Sequence, residues 1–147
     1  MKFFAASDHG GFPLKKRLFK HLQSKGLDCT DLGCDTNESC DYPDFAALLC
    51  RQILKNPGSR GLLVCGTGIG MSIAANRFHG IRAALCHNSL EARLTRLHND
   101  ANVLVLGGRI IGEELAIDIL ENFLETPFEG GRHSRRVEKI DPKKIEE

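Results

Sequence analysis

A chain of 147 residues is long enough for one domain with a substantial buried core. Its apolar fraction of 41%, charged fraction of 27% and formal net charge of +1 exclude a global field for nucleic acid or an anionic membrane surface, and no apolar run approaches a membrane span. None of the six cysteines forms C-x-x-C or takes zinc-site spacing with histidines, and the N-terminal apolar run stops at Ser7, before Asp8 and His9. Reduced thiols and a cytoplasmic location without a targeting segment are therefore expected.

Phe3 to Ala6 reads as strand 1. Leu14 to Ser24 carries apolar residues at 14, 18, 19 and 22, a helical stripe, and stops at Gly26. Leu27 to Leu32 is strand 2. Tyr42-Pro43-Asp44 opens a helix to about Leu54, which Asn56-Pro57-Gly58 ends. Gly61 to Val64 is strand 3, and a helix follows the glycine-rich turn after it. Ile81 to Cys86 is strand 4, Ser89 to Leu97 a helix, Val103 to Leu106 strand 5, and Ile111 to Leu124 the last long helix. The tail, about 128–147, is polar, basic and in part helical, and is expected to pack on the domain or on a dimer partner. Repeated βα units predict a single three-layer α/β/α Rossmann-like domain over residues 1–147, with a five-stranded parallel sheet.

In such sheets ligands sit beyond the carboxyl ends of the strands. Asp8 and His9 after strand 1, Cys65 after strand 3 and Arg109 after strand 5 all fall there. The segment Cys65-Gly66-Thr67-Gly68-Ile69-Gly70-Met71-Ser72 is the most telling. Glycines at alternate positions let the backbone turn sharply and leave N–H groups free at a helix start, a place that binds anions. A thiol beside such a turn can serve as nucleophile or base. Other chemistries fit less well. A dinucleotide fingerprint needs its third glycine one residue later and belongs on strand 1, a P-loop needs G-K-[ST], and a cysteine-dependent phosphatase needs arginine where Met71 stands. The bland reading is a tight turn with an inert buried thiol. Asp8 could simply cap a helix, Tyr42 could mark a helix start or cover a sugar, and His98-Asn99 could be a polar turn. Arg132 and Arg136, one helical turn apart, could share an anion or belong to a solvated face.

Together these segments resemble the ribose-5-phosphate isomerase type B family, with its galactose-6-phosphate and allose-6-phosphate relatives. The resemblance rests on Ser7-Asp8-His9-Gly10-Gly11, Asp41-Tyr42-Pro43, the segment from Cys65 to Asn76, Gly80 to Ala84, Arg96 to Leu104, and Gly130-Gly131-Arg132-His133 with Arg136. It implies sheet order 2-1-3-5-4 and an aldose–ketose isomerase of carbohydrate metabolism, in the pentose phosphate pathway, that needs neither metal nor cofactor. By position it makes Cys65 the base between C1 and C2. Relatives without this cysteine use a glutamate on the next helix, where Met71 to Asn76 offers no acid. Thr67 would serve the substrate oxygens, and the N–H groups of Gly66, Thr67, Gly68, Ile69 and Gly70 the enediolate. His98 would open the furanose ring with support from Asp8. His9, Arg109, Arg132 and Arg136 would bind phosphate, and Tyr42 and Asn99 the sugar. The alternatives are a six-carbon sugar-phosphate isomerase subunit, or a non-catalytic module that binds a phosphorylated ligand.

One expectation follows from topology. His98 and Asn99 lie just before strand 5, at the amino end of the sheet, whereas Cys65 closes strand 3 at the carboxyl end. A strand is roughly 17–20 Å long, more than a side chain spans. If both act on one substrate, they come from two subunits of a homodimer, or of a dimer of dimers.

Overall fold

The computed structural model describes residues 1–143. A parallel sheet is built from β1 (Lys2–Ser7), β2 (Asp28–Asp31), β3 (Arg60–Cys65), β4 (Ala83–Leu85) and β5 (Val103–Gly107), in the order β2-β1-β3-β5-β4. The helices between them are α1 (Phe12–Ser24), α2 (Tyr42–Lys55), α3 (Ile69–Ala75) and α4 (Ser89–Asn99), followed by α5 (Glu113–Glu125) and α6 (Arg132–Val137). The order matches the expected one. Two strands are shorter than their apolar runs: β2 loses Leu27 and Leu32, and β4 loses Ile81, Arg82 and Cys86. Both are edge strands, with a partner on one side only. Arg82 has left the ladder, and its N–H donates to Asn102 Oδ1 at 2.8 Å.

Strand alternation builds the three layers. Phe3, Ala5, Leu62, Val64, Leu104 and Leu106 face one side and pack with Leu18 and Leu22 of α1 and Ile119 and Phe123 of α5. Phe4, Ala6, Leu63, Cys65, Val103 and Val105 face the other, against Leu49 and Ile53 of α2 and Met71 of α3. Cys65 therefore belongs to the α2–α3 face. No helix among the described residues is long and apolar enough to cross a membrane.

The chain order reverses around β1, whose neighbours are β2 and β3. Ser7 pairs with Val64, so the chain leaves β1 at Asp8 and ends β3 at Cys65 side by side. This is the switch point at which open α/β sheets place their ligands.

Candidate active site

The glycine turn folds around the thiol. Cys65, 4% exposed, accepts the Gly68 N–H on Sγ at 3.1 Å, and Thr67 Oγ1 accepts the Ile69 N–H at 3.2 Å. Gly68 can do this because its φ is +80°, a left-handed conformation that glycine adopts without strain. The internal bonds narrow the sequence expectation. The Gly68 and Ile69 N–H groups are engaged within the turn, while those of Gly70 and Met71 have no hydrogen-bond partner among the described residues. Met71, where the sequence shows no acid, is fully buried under the turn.

The first βα turn lies against the second. A Cβ on Gly10 would sit 3.2 Å from Gly66 N. Asp8 is buried and accepts the Gly11 N–H at 3.0 Å, so it holds this turn. His9 accepts the Cys40 N–H on Nδ1 at 3.2 Å, which in the neutral ring puts the proton on Nε2 as a donor. Arg109 is anchored through its backbone, its N–H donating to Gly66 O at 2.9 Å, and its side chain lies beside Gly66. His9, Gly10, Asn37, Gly108 and Arg109 line a cavity of about 340 Å³. Tyr42 starts α2, and its ring lies over Gly70, where a Cβ would approach Tyr42 Cζ to 2.7 Å.

Sequence reasoning missed two contributors on this edge. Asn37 lies in a loop with no local signal. Lys15 is fully buried in α1, and its ammonium reaches Asp31 Oδ1 and Cys34 O, each at 2.7 Å. It ties α1 to the start of the loop that carries Cys40 to His9. Its position on the buried stripe of α1, next to Leu14 and Leu18, is the only sequence trace of that role.

His98, Asn99, Arg132 and Arg136 are not with this group. β3 and β5 pair from Gly61 with Val103 to Cys65 with Gly107, about 13 Å of strand. His98 precedes Val103 and so lies beyond the opposite end. There the His98 ring stacks on His133 with centroids 4.5 Å apart and planes 16° from parallel. His98, Asn99, His133, Arg136 and Ile140 line a second cavity of about 250 Å³, where Arg136 supplies a cation. The predicted residues thus fall into two groups at opposite ends of the strands, the second with His98, Asn99 and Arg136 on one cavity and Arg132 outside its lining.

All six cysteines are unpaired. Burial pushes the Cys50 and Cys86 thiols up to about 12, and burial is also the main reason that Cys29 and Cys40 lie above the ordinary thiol value. Cys65 alone among them has a backbone N–H aimed at its sulfur at the carboxyl edge.

A thiol at the switch point, above a turn with open N–H groups and beside a cationic cavity, equips an enzyme that moves protons on a small anionic substrate. The chain belongs to the Ribose/Galactose Isomerase family, whose model matches residues 3–140. It is 45% identical to ribose-5-phosphate isomerase B of Escherichia coli over 133 residues, 90% of this chain and 89% of that one. The solved ribose 5-phosphate isomerase of Thermotoga maritima superposes with a TM-score of 0.93 at 55% identity, covering 95% of this chain and 97% of that one. Ribose-5-phosphate isomerase B of Mycoplasma genitalium, solved with bound ribulose-5-phosphate, gives 0.91 at 44% identity and covers 95% and 93%.

Proposed function

We propose that the protein interconverts ribose 5-phosphate and ribulose 5-phosphate through an enediolate, with Cys65 moving the proton between C1 and C2. The observation that carries this is the Gly68 N–H donated to Cys65 Sγ at 3.1 Å. A sulfur held so beside a backbone donor array sits where a carbon acid and its developing oxyanion can be served together. Gly70 and Met71 N–H groups, with Gly66 and Thr67, face the substrate oxygens. His9 and Arg109 hold charged oxygens in the adjoining cavity, and Tyr42 covers the sugar. No step calls for a metal or an organic cofactor.

Ribose 5-phosphate enters as a furanose and must open before C2 is acidic. His98 performs the opening, with Asp8 supporting it, and Asn99, Arg132 and Arg136 complete the grip on sugar and phosphate. Because the two groups lie at opposite ends of the strands, His98 of one copy works with Cys65 of another in a homodimer, alone or doubled. The exposed Ile69 and Ile73 of α3 flank the glycine turn and give a second copy apolar surface to cover. Residues 1–147 act as one domain in this reading, with the tail from about 128 placing Arg132 and Arg136. The tail's last part lies outside the described residues. Six unpaired thiols suit the reducing cytoplasm.

Turnover of ribose 5-phosphate against allose 6-phosphate and galactose 6-phosphate, with solvent deuterium in the product, tests the reaction. The pentose phosphate should be preferred and deuterium incorporated; no turnover of any of the three would overturn the assignment. Refolding Cys65→Ala chains together with His98→Ala chains tests the sharing. Random pairing makes about a quarter of all sites intact, so roughly a quarter of wild-type activity should return from two inactive parents.

A further inference from the structure

The mechanism above leaves one buried group unused. His133, second residue of α6, is 6% exposed, yet its Nε2 has no hydrogen-bond partner among the described residues. The nearest carboxylate, Glu129 Oε2, stands 3.5 Å away, too far and too poorly directed for a hydrogen bond. What His133 does contact is His98, face to face. Burying a ring nitrogen without a hydrogen-bond partner costs stability. A leucine or phenylalanine would fill the same space without that cost, so the flat ring against His98 needs a reason.

The surroundings fix His133 more firmly than His98. His98 lies on the last turn of α4 and is partly exposed. His133 is set by the turn before α6, where Gly130 and Gly131 take φ of +71° and +56° and Gly130 O accepts the His133 N–H at 3.1 Å. That turn is tied to α4: Glu129 donates its N–H to Leu97 O at 3.2 Å, and Arg96 Nε donates to Thr126 O at 3.1 Å. A buried, backbone-anchored ring is thus presented to the more exposed one.

The same side chains do not read as a metal site. Donor atoms of His98, Glu129 and His133 lie within 4.8 Å of one another. Near-parallel stacked rings, however, carry their in-plane lone pairs side by side, whereas a tetrahedral ion needs them convergent. Arg136 on the same cavity also opposes a cation.

We propose that His133 is a positioning residue for ring opening: its face sets the orientation of the His98 imidazole, and it acts on substrate only through His98. The proposal rests on the assignment of ring opening to His98. Its consequence is specific to the closed sugar. Ribose 5-phosphate closes through O4 onto C1 and must be opened. Ribulose 5-phosphate cannot close a five-membered ring, because the oxygen that would attack C2 is O5, which carries the phosphate. Exchange of its C1 hydrogen with solvent therefore needs the thiol, the N–H turn and the phosphate grip, but no ring opening.

The test compares two rates in wild type, His133→Leu and His133→Phe: turnover of ribose 5-phosphate, and deuterium uptake at C1 of ribulose 5-phosphate under initial-rate conditions. Leucine fills the buried space without a flat face, and phenylalanine keeps the face without nitrogen. His133→Leu should lose on the order of tenfold in ribose 5-phosphate turnover, the scale of a misplaced catalytic group. Its exchange rate should stay within twofold of wild type, and His133→Phe should restore most of the turnover. Equal loss of both rates in the leucine variant, no loss of either, or a phenylalanine variant as impaired as the leucine one would each overturn the proposal. If the leucine variant does not fold, His133→Met, which also lacks a flat face, takes its place under the same outcomes. Absence of both ribose 5-phosphate turnover and C1 exchange in the wild-type enzyme would instead refute the proposed reaction itself.

Discussion

Gly70→Ala isolates the role of Tyr42, because it adds one methyl group and leaves every backbone N–H in place. The new Cβ would stand 2.7, 2.8 and 3.1 Å from Tyr42 Cζ, Cε2 and Cε1. Carbon atoms settle at roughly 3.5–4.0 Å, so the ring must retreat by about 1 Å. Tyr42 is 40% exposed, so it can yield into solvent at a cost of about 0.5–1.5 kcal/mol for a displaced rotamer. Alanine in place of a helical glycine returns about 1 kcal/mol. Stability should therefore stay within about 1 kcal/mol of wild type in urea unfolding, while kcat/KM for ribose 5-phosphate falls roughly tenfold through the displaced ring. In a Tyr42→Ala background the same substitution meets no ring and should have little further effect. A single variant with unchanged kcat/KM, or an undiminished loss in the Tyr42→Ala background, would refute the placement of Tyr42 over the sugar.

Cys65→Ala should abolish both turnover and C1 exchange while sugar-phosphate affinity, measured calorimetrically, changes little; turnover near wild type would remove the base assignment. Arg109→Ala should weaken inorganic phosphate binding at the His9 cavity by roughly tenfold or more, the weight of one charge-assisted hydrogen bond, with no effect on a neutral sugar. Glu121 is held below the ordinary carboxyl value, first by the hydrogen bond from Lys25 at 3.1 Å and then by that from His21 at 2.9 Å. Because the folded value is depressed, this stabilisation of α1 against α5 is complete above about pH 4.5 and is lost as pH falls through the lowered value. The difference in urea midpoint between wild type and Glu121→Gln should therefore be present at neutral pH and vanish in acid; a difference independent of pH would contradict the ion-pair origin.

How much of this was legible in the sequence depended on how local each signal is. The strand order followed from the family resemblance, and the parallel sheet from apolar runs alternating with helical stripes, which needed no knowledge of tertiary contacts. The thiol with its glycine turn is a contiguous segment, and so is the Asp8-His9 turn, so strand topology alone carried both to one edge. The strand ends were less legible, because Leu27 and Ile81 are as apolar as any strand residue and only the loss of a second partner at the sheet edge excludes them. In sequence, Lys15 is one cation among several on an amphipathic helix, beside Lys16, Arg17 and Lys20. Its buried ion pair depends on Asp31 and on the path of the following loop, which no local pattern encodes. His133 was harder still. Within its own segment it is one basic residue among Arg132, Arg135 and Arg136, and what distinguishes it is a face-to-face contact with a ring 35 positions earlier in the chain. The separation of Cys65 from His98 was legible for the opposite reason: in a parallel sheet, a residue that ends one strand and a residue that precedes another must lie at opposite edges, whatever the side chains do. Covalent order thus gave two groups of candidate residues that strand geometry keeps apart within one chain, and on the proposed reading, in which both groups act on one substrate, a second copy completes the site.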